Sequence, residues 1–229
     1  MENIIVQLKN VDIAFFDLDE TLTDRDTDSL WAAWRSCREI KGWLERLWLA
    51  KLYRNFRRGA LDAEEYVRYQ RYRIGTLSPR AFHSLAERFF LDAGARHLYQ
   101  EALTLIPSIR RSGIRAVLLT AQHEHIAAPF ARYLGMDDML ANRFGEERDR
   151  FTEPVKPYTF GEGKVHHGYA YASRLGVPLS RCAFFGDSIY DAPFMERVGY
   201  PFAVNPDMRL KRLAKEKGWA ILTFGRGRT

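Results

Sequence analysis

Asp17 and Asp19 stand one residue apart, directly after the run Ile13-Ala14-Phe15-Phe16. That run is short, apolar and without helical period, so it predicts a buried strand. The carboxyl edge of such a strand is where open α/β sheets bind ligands. Two carboxylates this close repel each other unless a cation neutralises them, and oxygen ligands of this kind suit Mg²⁺. Three further places have chemical potential. Thr120-Ala121 puts a hydroxyl at the end of another apolar run, just before a predicted helix, where it can either meet an anion or cap the helix. Lys164 opens a later helix, a position the helix dipole mildly disfavours for a cation, which suits a local task such as balancing clustered negative charge. In Phe184-Phe185-Gly186-Asp187-Ser188-Ile189-Tyr190-Asp191, two acids four apart follow a buried run, and the glycine permits close backbone approach.

The elements that must position these groups are partly legible. Strands are predicted at 114–119, 139–144, 150–155, 181–185, 202–204 and 219–222, alternating with helices at 95–112, 123–134, 162–175 and 207–217. Alternation of this kind argues for a parallel sheet covered on both faces. It is interrupted between the first strand and residue 95 by three helical stretches. The first, 28–56, carries Trp31, Trp34, Leu44, Leu47 and Trp48 at helical spacings, with Asp28 as candidate N-cap. The second, 62–73, opens on Asp62 with Glu65 three residues on, resembling a capping box. The third begins at Ser78-Pro79 and reaches Phe90, with proline at the first helical position. Arg58-Gly59 and Gly75-Thr76 link them. The predicted fold is therefore α/β, a Rossmann-like doubly wound parallel sheet with an all-helical insert. A core of 1–22 and 95–229 would surround a cap of 23–94.

Taken together, the four places resemble the haloacid dehalogenase-like hydrolase superfamily, whose motifs occur in this order from residue 11 to about 222. The early helical insert, with Ala203-Val204-Asn205-Pro206-Asp207 and Gly218-Trp219, is similar to its phosphoserine-phosphatase-like subgroup. Two motifs depart from that subgroup. Thr120-Ala121-Gln122 stands where Ser-Gly-Gly is usual, and Ser188 and Tyr190 replace a Gly and an Asn. The resemblance implies a Mg²⁺-dependent phosphatase of small phosphomonoesters that works through an aspartyl-phosphate. Asp17 would be the nucleophile, and Asp19 the general acid and base. Thr120, Ala121 and Lys164 would bind phosphate. Asp17, Asp19 and Asp187 would hold the metal, Asp19 through its backbone carbonyl, and Asp191 would support Lys164 or a metal-bound water. The helices of 23–94 would close over the site and read the leaving group.

Composition narrows the partners. An apolar fraction of 46% is that of a globular chain, and no run reaches the length of a membrane span. The beginning lacks the pattern of a signal peptide, so a cytoplasmic protein with free Cys37 and Cys182 is expected. The net charge of +6 suits an anionic small substrate or nucleic acid. Residues 23–94 hold 14 Lys/Arg against 10 Asp/Glu. Trp43, Trp48, Tyr53 and Phe56 interleave there with Arg54, Arg57 and Arg58, but helical spacing explains those aromatics without RNA. The other readings are a binding module on an inactive hydrolase frame and a phosphotransferase or mutase on the same frame. Asp24, Asp26 and Asp28 would either pair with a substrate amine or be solvated turn and cap residues; the second reading is adopted. His123 with His125, and His166 with His167, lack the i, i+4 spacing of a metal pair, and zinc is not expected.

Overall fold

The computed structural model describes residues 2–38, 40–58 and 60–225. A short helix α1 (Glu2–Gln7), not foreseen from sequence, leads into β1 (Ile13–Phe16), all of whose residues are buried. Four helices follow: α2 (Thr27–Ser36), α3 (Ile40–Arg57), α4 (Ala63–Ile74) and α5 (Pro79–Phe89). A π-turn over Phe90–Gly94 leads on to α6 (Gln100–Arg111). Then come β2 (Arg115–His123), α7 (Glu124–Leu134), β3 (Asp138–Asn142), β4 (Phe144–Glu147), β5 (Arg150–Pro154) and α8 (Glu162–Arg174). The chain continues through β6 (Cys182–Gly186), α9 (Ala192–Met195), β7 (Tyr200–Val204), α10 (Met208–Lys217) and β8 (Ala220–Leu222).

Six strands form one parallel sheet in the order β3-β2-β1-β6-β7-β8, so β1 lies inside it, flanked by β2 and β6. Phe16 sits beside Leu118 on one side and Phe185 on the other, which aligns the carboxyl ends of the three strands. Side chains alternate across the sheet as the strand period requires. Phe15 turns to one face, with Phe194 at 5.4 Å and Tyr171 at 5.9 Å. Phe16, Phe185 and Phe202 stack on the other face across three neighbouring strands, at 4.6 and 4.5 Å between rings. This is the doubly wound α/β arrangement expected, with helices over both faces. The β4–β5 pair is a separate antiparallel hairpin beside the sheet.

The helical stretch differs from expectation in three ways. The first helix is two, α2 and α3, because the chain turns at Cys37-Arg38, where Arg38 N–H bonds to the Arg35 carbonyl. Its cap is Asp26 rather than Asp28: Asp26 accepts from Ser29 N–H at 2.6 Å. Asp62 caps α4 by accepting from Glu64 N–H, while Glu65, the expected partner in a capping box, pairs with Lys51 at 2.6 Å. Ser78 and Pro79 open α5 as the sequence indicates, while Gly59 of the expected link lies outside the described residues. The helices are not a separate core. Trp31, Trp34, Phe82 and Phe89 pack into the same apolar cluster as Phe16, Leu18 and Phe130, and a small second cluster joins Ala32, Leu49, Leu52 and Tyr69.

Candidate active site

β1 delivers Asp17 to the carboxyl edge, where its N–H bonds to the Phe185 carbonyl at 2.9 Å and so extends the pairing of β1 with β6 by one residue. The next turn is tight: Leu22 N–H bonds back to the Leu18 carbonyl at 2.9 Å, and Glu20 adopts a left-handed φ of 56°. A non-glycine residue there is uncommon and marks a conformation imposed by its surroundings. The turn aims Thr21 at the end of β6, where its hydroxyl donates to Asp187 Oδ1 at 3.2 Å.

β6 ends at Gly186, where a Cβ would press on Asp191 Oδ2 and on the Phe184 ring, so glycine is what lets Asp191 fold back under the strand end. Asp191 Oδ2 accepts from Ser188 N–H at 3.3 Å, and Ser188 Oγ accepts from Tyr190 N–H at 3.2 Å. The loop after β7 secures the same segment from behind. Asp207 N–H bonds to the Asp187 carbonyl at 2.8 Å, and its carboxylate accepts from Ile189 N–H while capping α10.

Lys164 sits in the first turn of α8, with its side chain buried. Its Nζ lies 2.6 Å from Asp191 Oδ1 and 2.9 Å from Asp17 Oδ1. Burial alone would lower its proton affinity, but the two carboxylates outweigh it, and the ammonium is held charged well above its ordinary range. The task that its awkward helix position suggested is thus visible. Burial pushes Asp191 up to about 6, with Lys164 opposing. Asp187 is raised well above the usual carboxylate range, by burial first, then by Asp191, Asp17 and Glu20.

Asp17, Asp187 and Asp191 present carboxylate oxygens within 4.8 Å of one another. Three carboxyl groups stand against one ammonium in a buried space, and the crowding that raises Asp187 and Asp191 is what a divalent cation would offset. Lys164 and Ser188 N–H already occupy Asp191, which leaves Asp17 and Asp187 as the carboxylates best placed for a metal. The donor set is all oxygen, which fits Mg²⁺.

Asp19 points away from that cluster, accepting from Thr27 N–H at the start of α2 at 2.6 Å. Burial raises its proton affinity well above the ordinary range, reinforced by Asp26, Asp28 and Asp17. Thr120 is buried and lines the same cavity with Ala121. It does not precede a helix, however: β2 bulges after Leu119 and runs to His123, whose ring caps α7. Its hydroxyl accepts from Gln122 N–H at 3.1 Å. The Ala121 carbonyl accepts from Gln70 and Asn142, which fixes this strand end against α4.

Sequence reasoning missed a buried network behind the site. Asp28 is not solvated: it ion-pairs with Arg73, accepts from Tyr66 Oη at 2.7 Å and from Gln122 Nε2 at 2.8 Å. Gln122 also donates to Thr27 Oγ1 at 2.8 Å and accepts from Arg73 Nη2 at 2.7 Å. Only the departure at Gln122 from the usual motif gave a signal. Asp24 pairs with His97 at 2.7 Å, and Asp26 caps α2 while lining the cavity. Elsewhere Glu124, His125 and Glu146 bring ligand atoms within 4.8 Å of one another, a grouping the histidine spacing did not signal, although Arg143 already holds Glu124 at 3.1 Å.

The profile of the haloacid dehalogenase-like hydrolases matches residues 14–196, and the chain belongs to that family. A probable phosphatase of Mycobacterium tuberculosis is 37% identical over 129 residues, 56% of this chain and 45% of that protein, so the chain spans about half the length of that relative. A histidinol-phosphatase of Neisseria meningitidis is 26% identical over 218 residues, 93% of this chain and 98% of that one. A solved protein of unknown function from Bordetella pertussis superposes with a TM-score of 0.81 at 27% identity, covering 92% of this chain and 97% of its own. A substrate-bound phosphoserine phosphatase superposes at 0.68 with 16% identity, over 93% of this chain and 92% of its own, a likeness of fold.

Proposed function

We propose that the chain is a Mg²⁺-dependent phosphatase of a small phosphomonoester, acting through an aspartyl-phosphate on Asp17. The observation that carries this reading is the placement of Asp17 at the strand edge, 2.9 Å from the buried Lys164 ammonium and beside Asp187, at the floor of a walled cavity. An Asp17 oxygen forms the new bond to phosphorus as the bond to the ester oxygen breaks. Asp19, whose proton affinity burial raises well above the ordinary carboxyl range, donates a proton to the departing alkoxide. The same carboxylate then takes a proton from the water that cleaves the acyl phosphate. Lys164 and Thr120 hold phosphoryl oxygens, and Asp191 holds Lys164 in place. Asp17, Asp187 and the Asp19 backbone carbonyl would hold Mg²⁺, which would offset charge on the phosphoryl group. The helices of residues 23–94 would form the cap over the leaving group.

The test is phosphate release from p-nitrophenyl phosphate and a panel of small phosphomonoesters, with Mg²⁺ and with chelator. Asp17→Asn is expected to fold and to lose turnover by a factor on the order of 10⁴ or more. An active Asp17→Asn protein would remove Asp17 from the nucleophile's role.

A further inference from the structure

The wall that faces the leaving group differs in chemistry from the floor. Above Asp17 the cavity is closed by Tyr53, Phe56 and Tyr66 from α3 and α4, and by Phe160 and Tyr190 from the sheet side. Tyr190 joins the two sides: its ring lies 5.0 Å from Phe56 and 4.8 Å from Phe160, and its hydroxyl accepts from Leu61 N–H at 3.1 Å. Asp26 lines this aromatic chamber at the start of α2, with Asp28 behind it.

The charge census of the chamber is one-sided. Among the described lining residues there are seven carboxylates and one cation, Lys164, which Asp17 and Asp191 occupy. Two guanidinium groups that contact lining residues from outside are also engaged. Arg73 is buried behind Asp28, bound to it and to Gln122. Arg209 sits against Tyr190 with its guanidinium 5.6 Å from the ring, donates to the Phe56 carbonyl and lies 3.8 Å from Asp207. A substrate carboxylate entering this space would meet carboxylates and aromatic rings and no free cation, which costs the full loss of its hydration. A cation would meet Asp26 and an aromatic lining, the surroundings that favour it.

Resting on the phosphatase reading of this same site, we infer that the alcohol leaving the phosphoryl group is a cation that carries no carboxylate, held by Asp26 inside the Tyr53, Phe56 and Tyr66 wall. Asp26 is a specificity residue: it reads the leaving group and takes no part in bond breaking. Burial and the neighbouring Asp28 push its carboxyl up to about 7, the mark of an anion short of a counter-charge. This separates substrates by class. Amino-alcohol and imidazole-alcohol phosphates fit; amino-acid phosphates, which bring a carboxylate with their amine, do not.

The experiment measures kcat and KM for O-phosphoethanolamine and histidinol phosphate, which are cationic without a carboxylate. The comparison esters are O-phospho-L-serine, glycerol 3-phosphate and p-nitrophenyl phosphate. The better cationic ester is expected to exceed phosphoserine and glycerol 3-phosphate at least about tenfold in kcat/KM. Asp26→Asn should cut that advantage about tenfold, mostly through KM, as the charge is lost but the helix cap retained. Asp26→Ser, which also keeps a capping side chain, provides the same reading if the first variant does not fold. A preference for phosphoserine or glycerol 3-phosphate, or an advantage untouched in both variants, overturns the inference, and Asp17-dependent release from p-nitrophenyl phosphate would then leave the phosphatase reading standing. Absence of Asp17-dependent release from every ester overturns both.

Discussion

At the scale of single residues, the two aspartates of the first motif are set apart by where their side chains go. Asp17 faces Lys164, while Asp19 faces the N–H of Thr27 and three other carboxylates. A cation beside Asp17 and a raised proton affinity at Asp19 are the division a nucleophile and a general acid need. The division predicts a leaving-group signature. Asp19→Asn should lose on the order of 10²–10⁴ in the formation of the phosphoenzyme from an alkyl ester, whose alkoxide needs a proton. With p-nitrophenyl phosphate, whose phenolate departs unaided, a single-turnover burst of nitrophenol should persist. Rapid-quench measurement of both steps decides it, and equal losses on the two esters would rule out the general-acid role. Lys164 carries a second expectation. Lys164→Met leaves Asp17, Asp187 and Asp191 without their cation and should lower kcat/KM by about 10²–10³, measured at steady state; a change below threefold would mean that the ammonium serves packing alone.

At the scale of elements, what could be read from sequence was whatever lies within one strand or one turn. The apolar runs of β1 and β6 and the acids that end them are local patterns, so Asp17, Asp19, Asp187 and Asp191 could be placed at one sheet edge. Asp28 could not be placed, because its burial is decided by Arg73 on another helix and Gln122 on β2. The same holds for Asp26. Its neighbours in sequence suggest a solvated turn, whereas its surroundings are assembled from α2, α3 and the turn after β1. Since Asp26 caps α2, its protonation is tied to the stability of that helix entry. A carboxyl raised to about 7 binds its proton more tightly in the folded chain than in the unfolded one. Its stabilising contribution is therefore present below about pH 4 and is lost as pH rises through about 7. Asp26→Asn keeps the cap but cannot ionise, so its melting temperature should match that of the wild type near pH 4 and exceed it near pH 8. Thermal denaturation of the two metal-free proteins at both pH values checks this, and a difference independent of pH would show that Asp26 is not strained by its charge.

At the scale of the whole molecule, a chain with net charge +6 concentrates carboxylates at the one sheet edge where three parallel strands end together. The doubly wound topology explains the site's position but not its charge. The fold needs only that β1, β2 and β6 end in register, and apolar residues there would pack at lower cost. The acids are a burden on the folded state that the molecule relieves in part with Lys164 and in part with backbone N–H groups; the Mg²⁺ proposed for this site would relieve the rest. On that reading stability and metal binding are linked. At a Mg²⁺ concentration of about 100 times its dissociation constant, mass action adds ~2.7 kcal/mol, which for a chain of this size is a rise of roughly 5–10 °C in melting temperature over the chelated protein. Asp187→Asn removes one ligand and one of the three clustered carboxyl groups together. The variant should melt at or above the wild type in chelator, and Mg²⁺ should no longer raise its melting temperature. A calorimetric comparison of both proteins, with and without Mg²⁺, distinguishes this from a purely structural aspartate, whose loss would lower the melting temperature equally in either buffer.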